Sequence, residues 1–455
     1  MRVLIVSAGS WGDIAPHTGL AARLTDAGHD VTLATHDRLA PQIRARGLAF
    51  RSLGVDISDL FGRSAESGDQ DDPGRAGEHG GTGGGRSVGP RSHLANLRQS
   101  GALIRHLLAG ITGAMQGGGG DGARPDVVLL SATVAPLGWH VAEGLDLPTV
   151  GAYLQPATRT GAFPPPFLSG RVSLGRWGNR ALTDALHEII DAAAWPATRR
   201  ARRDLGLAPC SPRALRRRLE AGHWPVAYGY SPTVVPRPVD WRPGLEVTGY
   251  WFPPRPAGWR PPDALVDFLG AGPPPVLVSF GSMAAGHGER VSAVARAALR
   301  RAGVRGVVQA GLAGLAVDDD DILTVGEVPH DWLMPRCAAV VHHAAAGTTA
   351  AALRAGTPAV PVPVRTDQQF WAHRLTSLGV SPAPQPFRRL SPEGLAAAVR
   401  RAVSDPEHRE RAAWIAGRLA LEDGPGRAVA MVEAAGSGHS RDRTAGGHPV
   451  RATTR

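Results

Sequence analysis

The stretch Val340-Val341-His342-His343-Ala344-Ala345-Ala346-Gly347-Thr348-Thr349 decides the fold. It leaves a buried apolar strand, turns on small residues, and enters a helix expected over Ala350 to Ala355, which Gly356 and Pro358 stop. Side chains this small leave the backbone N–H groups of the helix start open. Those unpaired donors, with the positive end of the helix dipole, make an anion site, and the hydroxyls of Thr348 and Thr349 suit phosphate oxygens. A second reading fits the same residues: Ala346 and Gly347 permit close helix-to-strand packing, and the two histidines are satisfied core residues.

On the C-terminal side, Ala359-Val360-Pro361-Val362-Pro363 returns as the next strand and runs into Arg365-Thr366-Asp367-Gln368-Gln369. Asp367 and Gln368 therefore fall on the same carboxyl rim, where ligands of open α/β sheets bind. A carboxylate and an amide there can hold the adjacent hydroxyls of a sugar. The alternative for Asp367 is an ordinary helix N-cap.

On the N-terminal side the strands Pro275 to Ser279, Gly306 to Gln309 and Ile322 to Val325 alternate with the helix Val291 to Arg301. The start of the chain repeats the plan: strand Val3 to Val6, a Gly-rich turn, Ile14, His17, Leu20, Ala21 and Leu24 at helical spacing, then strand Val31 to Ala34. Strands at Val127 to Leu130, Thr149 to Gly151 and Val226 to Tyr228 continue it. The fold class is α/β, two Rossmann-like units.

At 455 residues the chain exceeds the roughly 250–300 at which one core stops growing. Residues 1–240 form the expected first domain and 263–435 the second. Residues 241–262, rich in Pro and Trp, read as a surface linker, and 436–455 as a frayed tail. Residues 62–91, nearly devoid of aliphatic side chains, read as a disordered insertion, and Gly117 to Gly120 as a flexible joint.

The formal charge is +10 with no lysine in the sequence, so every basic residue is arginine. Abundant Arg, Ala, Gly and Pro without Lys is what a GC-rich coding sequence produces. The runs Arg199 to Arg203 and Arg216 to Arg218 have no interleaved aromatic residues and read as solvated helix faces, which argues against a nucleic-acid partner. Cys210 and Cys337 stand in no metal-ligand spacing and suit a reducing, cytoplasmic setting. The acidic run Asp318 to Asp321 reads as a solvated loop, and His342-His343 lacks a third ligand, so no metal site is expected. Ala102 to Met115 carries Arg105 and His106 and falls short of the ~20 residues of a membrane span.

These residues resemble the inverting, nucleotide-sugar-dependent glycosyltransferases of the GT-B fold, in the branch with sterol and antibiotic glucosyltransferases. The resemblance rests on Gly9-Ser10-Trp11-Gly12-Asp13-Ile14-Ala15-Pro16, on Pro232 to Phe252, and on Val328-Pro329-His330-Asp331-Trp332-Leu333 leading into the His-His-x-x-Ala-Gly-Thr-Thr and Asp-Gln motifs. It implies two domains facing across a cleft and transfer of a hexose from a UDP-glucose-like or dTDP-sugar donor. The acceptor is a hydroxyl of a hydrophobic small molecule, a sterol or a polyketide aglycone. By the same resemblance Asp13 holds the catalytic-base position, His343, Gly347 and Thr348 the donor diphosphate site, Asp367 and Gln368 the donor sugar, Ser282 a phosphate loop, and Glu327-Val328 the nucleobase contact. Trp11 stands where this branch has Arg, Ala344-Ala345 where it has Gly-Gly, and Leu312 where it has Trp.

The chemistry agrees. An acceptor hydroxyl loses its proton as it attacks the anomeric carbon, and a carboxylate within hydrogen-bond reach takes it. His17, four residues beyond Asp13 on the same helical face, is expected to orient Asp13 or share the proton. Without the resemblance, Asp13 reads first as a cap for a helix starting at Ile14. The helix start at Gly347 and His343 supply positive charge to the leaving diphosphate, so no metal and no cofactor beyond the nucleotide sugar is expected. Two other classes remain: a non-catalytic homologue that stabilises a partner transferase, and a dinucleotide-dependent oxidoreductase, which Gly9-x-x-Gly12 does not support because it is not G-x-G-x-x-G. Apolar residues at Leu94 to Met115 and Tyr153 to Leu168 favour a hydrophobic acceptor held by the first domain.

Overall fold

The computed structural model describes residues 1–55, 90–118, 123–168, 173–364 and 367–445. Seven parallel strands form the first sheet: β1 (Arg2–Val6), β2 (Asp30–Thr35), β3 (Ala49–Ser52), β4 (Val127–Leu130), β5 (Thr149–Tyr153), β6 (Val226–Tyr228) and β7 (Leu245–Val247), in the order β3-β2-β1-β4-β5-β6-β7. Five more, β8 (Val276–Ser279), β9 (Gly306–Gln309), β10 (Ile322–Val325), β11 (Ala339–His342) and β12 (Ala359–Pro361), form the second in the order β10-β9-β8-β11-β12. Both sheets carry helices on both faces, so their central strands are apolar without alternation: Val3, Leu4, Ile5 and Val6 are all buried, as are Val276, Leu277 and Val278.

Strand order reverses between β1 and β4 in the first sheet and between β8 and β11 in the second. A crevice opens at each reversal, because consecutive helices there leave toward opposite faces. The helix Trp11–Asp26 starts at the first reversal and the helix Ala346–Ala355 at the second. The two starts meet: a Cβ built on Gly347 would lie 3.5 Å from the Gly12 carbonyl oxygen.

Three expectations about boundaries need correction. Residues 241–262 are not wholly a surface linker: β7 lies within them and pairs with β6 through Val226–Leu245 and Tyr228–Val247. Its Leu-Glu-Val alternation buries two side chains, Trp251 is buried edge-on to His17, and Trp241 stacks on Tyr228 at 4.5 Å. Residues 436–445 are not a frayed tail but the end of a helix, Gly424–Ala445, whose Ala428, Val429 and Val432 join Val3 and Ile5 in the core of the first domain. Residues 446–455 lie outside the described residues. Of the expected insertion, 62–89 lie outside the described residues, while Pro90 begins the helix Pro90–Met115; of the Gly117–Gly120 joint, only the first two are described.

The chain thus crosses between domains twice. The outgoing segment after β7 and the returning one before the last helix touch at Gly249 and Gly424, where a Cβ on Gly424 would fall 2.5 Å from the Gly249 carbonyl carbon. Gly249 also has φ +115°. Glu422 clasps the crossing by accepting hydrogen bonds from Ser231 Oγ (2.7 Å) and Thr233 Oγ1 (3.0 Å). Among the described residues, no helix is long and apolar enough to cross a membrane. The arginine runs are partly structural: Arg202 is buried, 2.7 Å from Glu143.

Candidate active site

The cleft between the domains encloses about 2800 Å³ and is lined from both of them. In chain order the first contribution is the turn after β1. Gly9 takes φ +154°, and a Cβ on it would lie 2.6 Å from Asp13 Oδ2, so the carboxylate position requires a glycine. The Gly9 N–H donates to His36 Nε2 at 3.0 Å, which fixes the turn.

Asp13 is the third residue of the helix Trp11–Asp26 and not its cap, which is Ser10. Its Oδ2 accepts from the Ser10 N–H and the Ser10 hydroxyl, both at 2.9 Å. Burial raises the Asp13 pKa above the usual carboxylate value, against the two Ser10 hydrogen bonds and the nearby His17 and His36, which pull it down. A carboxylate raised in this way, at a helix N-terminus and facing a cleft, suits proton abstraction.

His17 does not join it. The ring is buried, with Nδ1 2.9 Å from the Asp13 backbone oxygen and Nε2 3.1 Å from the Ala152 oxygen. Burial lowers its pKa, and it does not line the cleft. Residues four apart share a face, but the Asp13 side chain reaches back to Ser10 while the His17 ring takes the carbonyl that Asp13 leaves behind.

The second contribution is the turn after β11. The helix begins at Ala346, four residues earlier than expected, with Ala345 as its cap. Its first internal hydrogen bond runs from the Thr349 N–H to the Ala345 oxygen, which leaves the N–H groups of Ala346, Gly347 and Thr348 without intrahelical partners at the cleft. Ala344 holds φ +62°, a left-handed conformation that costs an L-residue about 1–2 kcal/mol, and its N–H donates to His342 Nδ1 at 3.1 Å.

His343 lines the cleft, and its Nδ1 has no hydrogen-bond partner among the described residues. Burial pushes its pKa down to about 4, against a backbone hydrogen bond with Ser279 that favours the charged form, so the ring is neutral. Thr348 lines the cleft as expected. Thr349 does not: it is fully buried, because its position in the first turn faces the core.

Ser282, in the turn after β8, and Val328, after β10, both line the cleft. Asp367 and Gln368 do so after β12. Asp367 stands at the N-cap of the helix Gln368–Ser377, as the alternative has it, but makes no side-chain cap hydrogen bond; its Oδ2 accepts from Trp371 Nε1 at 2.9 Å. Gln368 Oε1 accepts from the Val364 N–H at 2.8 Å. The sheet order arranges these groups along one rim: the loop with Val328, then Ser282, then His343 and Gly347, then Asp367 and Gln368.

Two residues that sequence reasoning missed form the floor of this rim. Gln309 Oε1 accepts from Ser279 Oγ at 2.7 Å and lies 3.3 Å from His330 Nε2, and burial holds the His330 pKa at about 4. Gln309 ends a buried strand on a polar side chain, and that was the available signal. On the first-domain side the cleft wall includes Trp139, Tyr153, Trp224 and Trp241, an aromatic surface for an apolar ligand. Among the described residues no cluster of three or more His, Cys, Asp or Glu could hold a metal ion.

A family model described as the glycosyltransferase family 28 N-terminal domain matches residues 3–164, and one described as the erythromycin biosynthesis protein CIII-like C-terminal domain matches 309–434. O-mycaminosyltylonolide 6-deoxyallosyltransferase of Streptomyces fradiae is 34% identical over 461 residues, covering 95% of this chain and 97% of that protein. A sterol 3-beta-glucosyltransferase of Arabidopsis thaliana is 32% identical over 447 residues, covering 94% of this chain and 67% of the plant protein. Among solved structures, the glycosyltransferase VinC in complex with dTDP superposes with a TM-score of 0.60 at 19% identity, over 96% of this chain and all of that one.

Proposed function

The chain belongs to the sterol- and antibiotic-type glycosyltransferases of the GT-B fold, and we propose that it moves a hexose from a nucleotide sugar to a hydroxyl of a hydrophobic small molecule, with inversion at the anomeric carbon. One observation carries this reading: the helix start that bears Asp13 and the helix start that bears Gly347 meet across one cleft, with Gly12 and Gly347 in near contact.

The rim order supports one placement of the donor. The diphosphate lies on the N–H groups of Ala346, Gly347 and Thr348, with His343 and Ser282 as further donors. Asp367 and Gln368, on the β12 side, take the sugar hydroxyls. The nucleobase then falls on the opposite side, at Val328. Both donor options stay in the proposal: one relative is a sterol 3-beta-glucosyltransferase, and a solved structure of similar fold holds dTDP.

The acceptor enters from the aromatic wall of the first domain. As its oxygen bonds to the anomeric carbon, the hydroxyl proton passes to Asp13, and the bond from that carbon to the phosphate oxygen breaks with its electron pair. A single displacement from the face opposite the leaving group inverts the centre. Negative charge accumulating on the diphosphate meets the converging positive ends of two helices, an arrangement already in place before reaction. That charge comes from the chain itself, so the proposal includes no metal. The two free cysteines suit a cytoplasmic setting.

The test is incubation with UDP-glucose and dTDP-glucose against a panel of sterols, macrolactones and aromatic polyketides, read by mass spectrometry. A product heavier by one hexose with inverted configuration is expected. Failure to glycosylate any acceptor, together with no slow release of free glucose from either donor, would mean a non-catalytic homologue.

A further inference from the structure

The wall of the cleft that faces an acceptor is the segment Leu154 to Leu168, which places Gln155, Thr158, Pro165 and Phe167 on the cavity. Three of the contacts that hold it matter here. Thr158 Oγ1 accepts a short hydrogen bond from the Tyr228 hydroxyl. Asp240 forms the second: it accepts from Thr160 Oγ1 (2.6 Å) and the Gly161 N–H (2.8 Å) and pairs with Arg180 (2.5 Å), which drives its pKa down to about 2 against a desolvation cost. Both contacts lie within the first domain.

The third joins the two domains beside the cleft. The Phe163 ring sits edge-on to Phe370, centroids 5.5 Å apart, and Phe370 in turn meets Trp371 edge-on at 5.2 Å. Phe370 belongs to the helix Gln368–Ser377, whose start carries Asp367 and Gln368 to the cleft, and Trp371 donates directly to the Asp367 carboxylate. The acceptor wall therefore touches the element that holds the donor sugar through one aromatic side chain. Phe163 does not itself line the cleft.

We propose that Phe163 is a positioning residue that couples the two substrates: when the donor sugar settles on Asp367 and Gln368, the helix Gln368–Ser377 sets the Leu154–Leu168 wall through Phe163. This rests on the donor-site reading above. Coupling is reciprocal, so a donor that orders the wall raises acceptor affinity by the same factor that acceptor raises donor affinity, typically about 5- to 150-fold. The wall is suited to such control because, between its hydrogen-bonded points and the Phe163 contact, it has no strand or helix of its own.

Hydrogen exchange with and without saturating UDP-glucose or dTDP-glucose tests this on the whole chain. In the wild type, amides of 155–168 should slow at least about fivefold along with those of 343–349. In Phe163→Ala the slowing of 343–349 should persist while that of 155–168 disappears. Phe163→Leu, which keeps part of the contact, should give an intermediate slowing and serves if the alanine variant is unstable. In turnover, Phe163→Ala should raise the acceptor KM at saturating donor and the donor KM at saturating acceptor by about the same factor, while donor binding without acceptor stays unchanged, a pattern that a general loss of stability would not produce. Unchanged exchange of 155–168 in the wild type, or equal slowing in wild type and Phe163→Ala, overturns the coupling. No slowing at 343–349 with either donor overturns the donor-site reading beneath it.

Discussion

Replacing Ser10 with Ala isolates the group that keeps Asp13 ionised. Two donors converge on Asp13 Oδ2 at 2.9 Å each, the Ser10 N–H and the Ser10 hydroxyl, and the substitution removes the second while leaving the first in place. A hydrogen bond to a charged group contributes about 1.5 kcal/mol, close to the 1.4 kcal/mol of a tenfold change, so the ionised form loses about a factor of ten relative to the protonated one. Burial already pushes this carboxyl upward, and Ser10 opposes that push. The acidic limb of the kcat/KM profile should therefore move to higher pH in Ser10→Ala. Well below the limb the variant should be about tenfold slower, and above it the rates should converge. The assay is transfer rate against pH with donor saturating, beside calorimetric titration with UDP or dTDP as a control expected not to change. A limb that stays in place, or a uniform loss at every pH, would refute the assignment of Asp13 as the base that Ser10 tunes. Thermal unfolding should register the loss of the N-cap, about 1 kcal/mol.

Asp13→Asn should lower transfer by about 10²–10⁴-fold while nucleotide binding stays within a few-fold, as rate and titration measurements would show. The same variant should be no less stable at pH 7. Burial raises the folded-state pKa above 3.8, so the native state holds the proton more tightly than the unfolded chain, and stability falls as pH rises through that window. Asn escapes that loss and still accepts from Ser10; a large drop in Tm at pH 7 would contradict this. His343→Ala should weaken nucleoside diphosphate binding by the value of one hydrogen bond, about 1–3 kcal/mol, without changing the acceptor KM, and equal binding would make His343 a core residue. Transfer should persist in EDTA; complete loss restored by Mg²⁺ or Mn²⁺ would show that the helix starts do not suffice for the diphosphate.

The sequence signals that held were those in which local pattern and tertiary demand coincide. Apolar runs as unbroken as Val3 to Val6 fit a strand covered on both faces, and the small residues after β11 fit a helix start open to the cleft. The misreadings arose where a partner distant in sequence decides. His17 lies on the face that i, i+4 spacing predicts, yet its ring bonds to the Asp13 carbonyl and to Ala152 on β5, a contact no spacing rule contains. Three residues of β7 vanish among prolines because an edge strand needs only one neighbour, β6. The last helix has little apolar character of its own and is held by the first domain, against which Val429 and Val432 pack. Asp367 holds the N-cap position that the sequence offers, yet its carboxylate engages an indole four residues further on rather than the helix N–H groups.

The double crossing at Gly249 and Gly424 bears on how such a gene could be shuffled. A single recombination point between the halves would pair a new second domain with a foreign final helix, and the Val3 and Ile5 face would be capped by residues never fitted to it. Exchange of the second domain as a module needs two breakpoints, one after β7 and one just before Gly424, with the helix Gly424–Ala445 retained by the first domain. Chimeras built that way keep the glycine–glycine seam intact, so the second half can be replaced without rebuilding the core that carries Asp13.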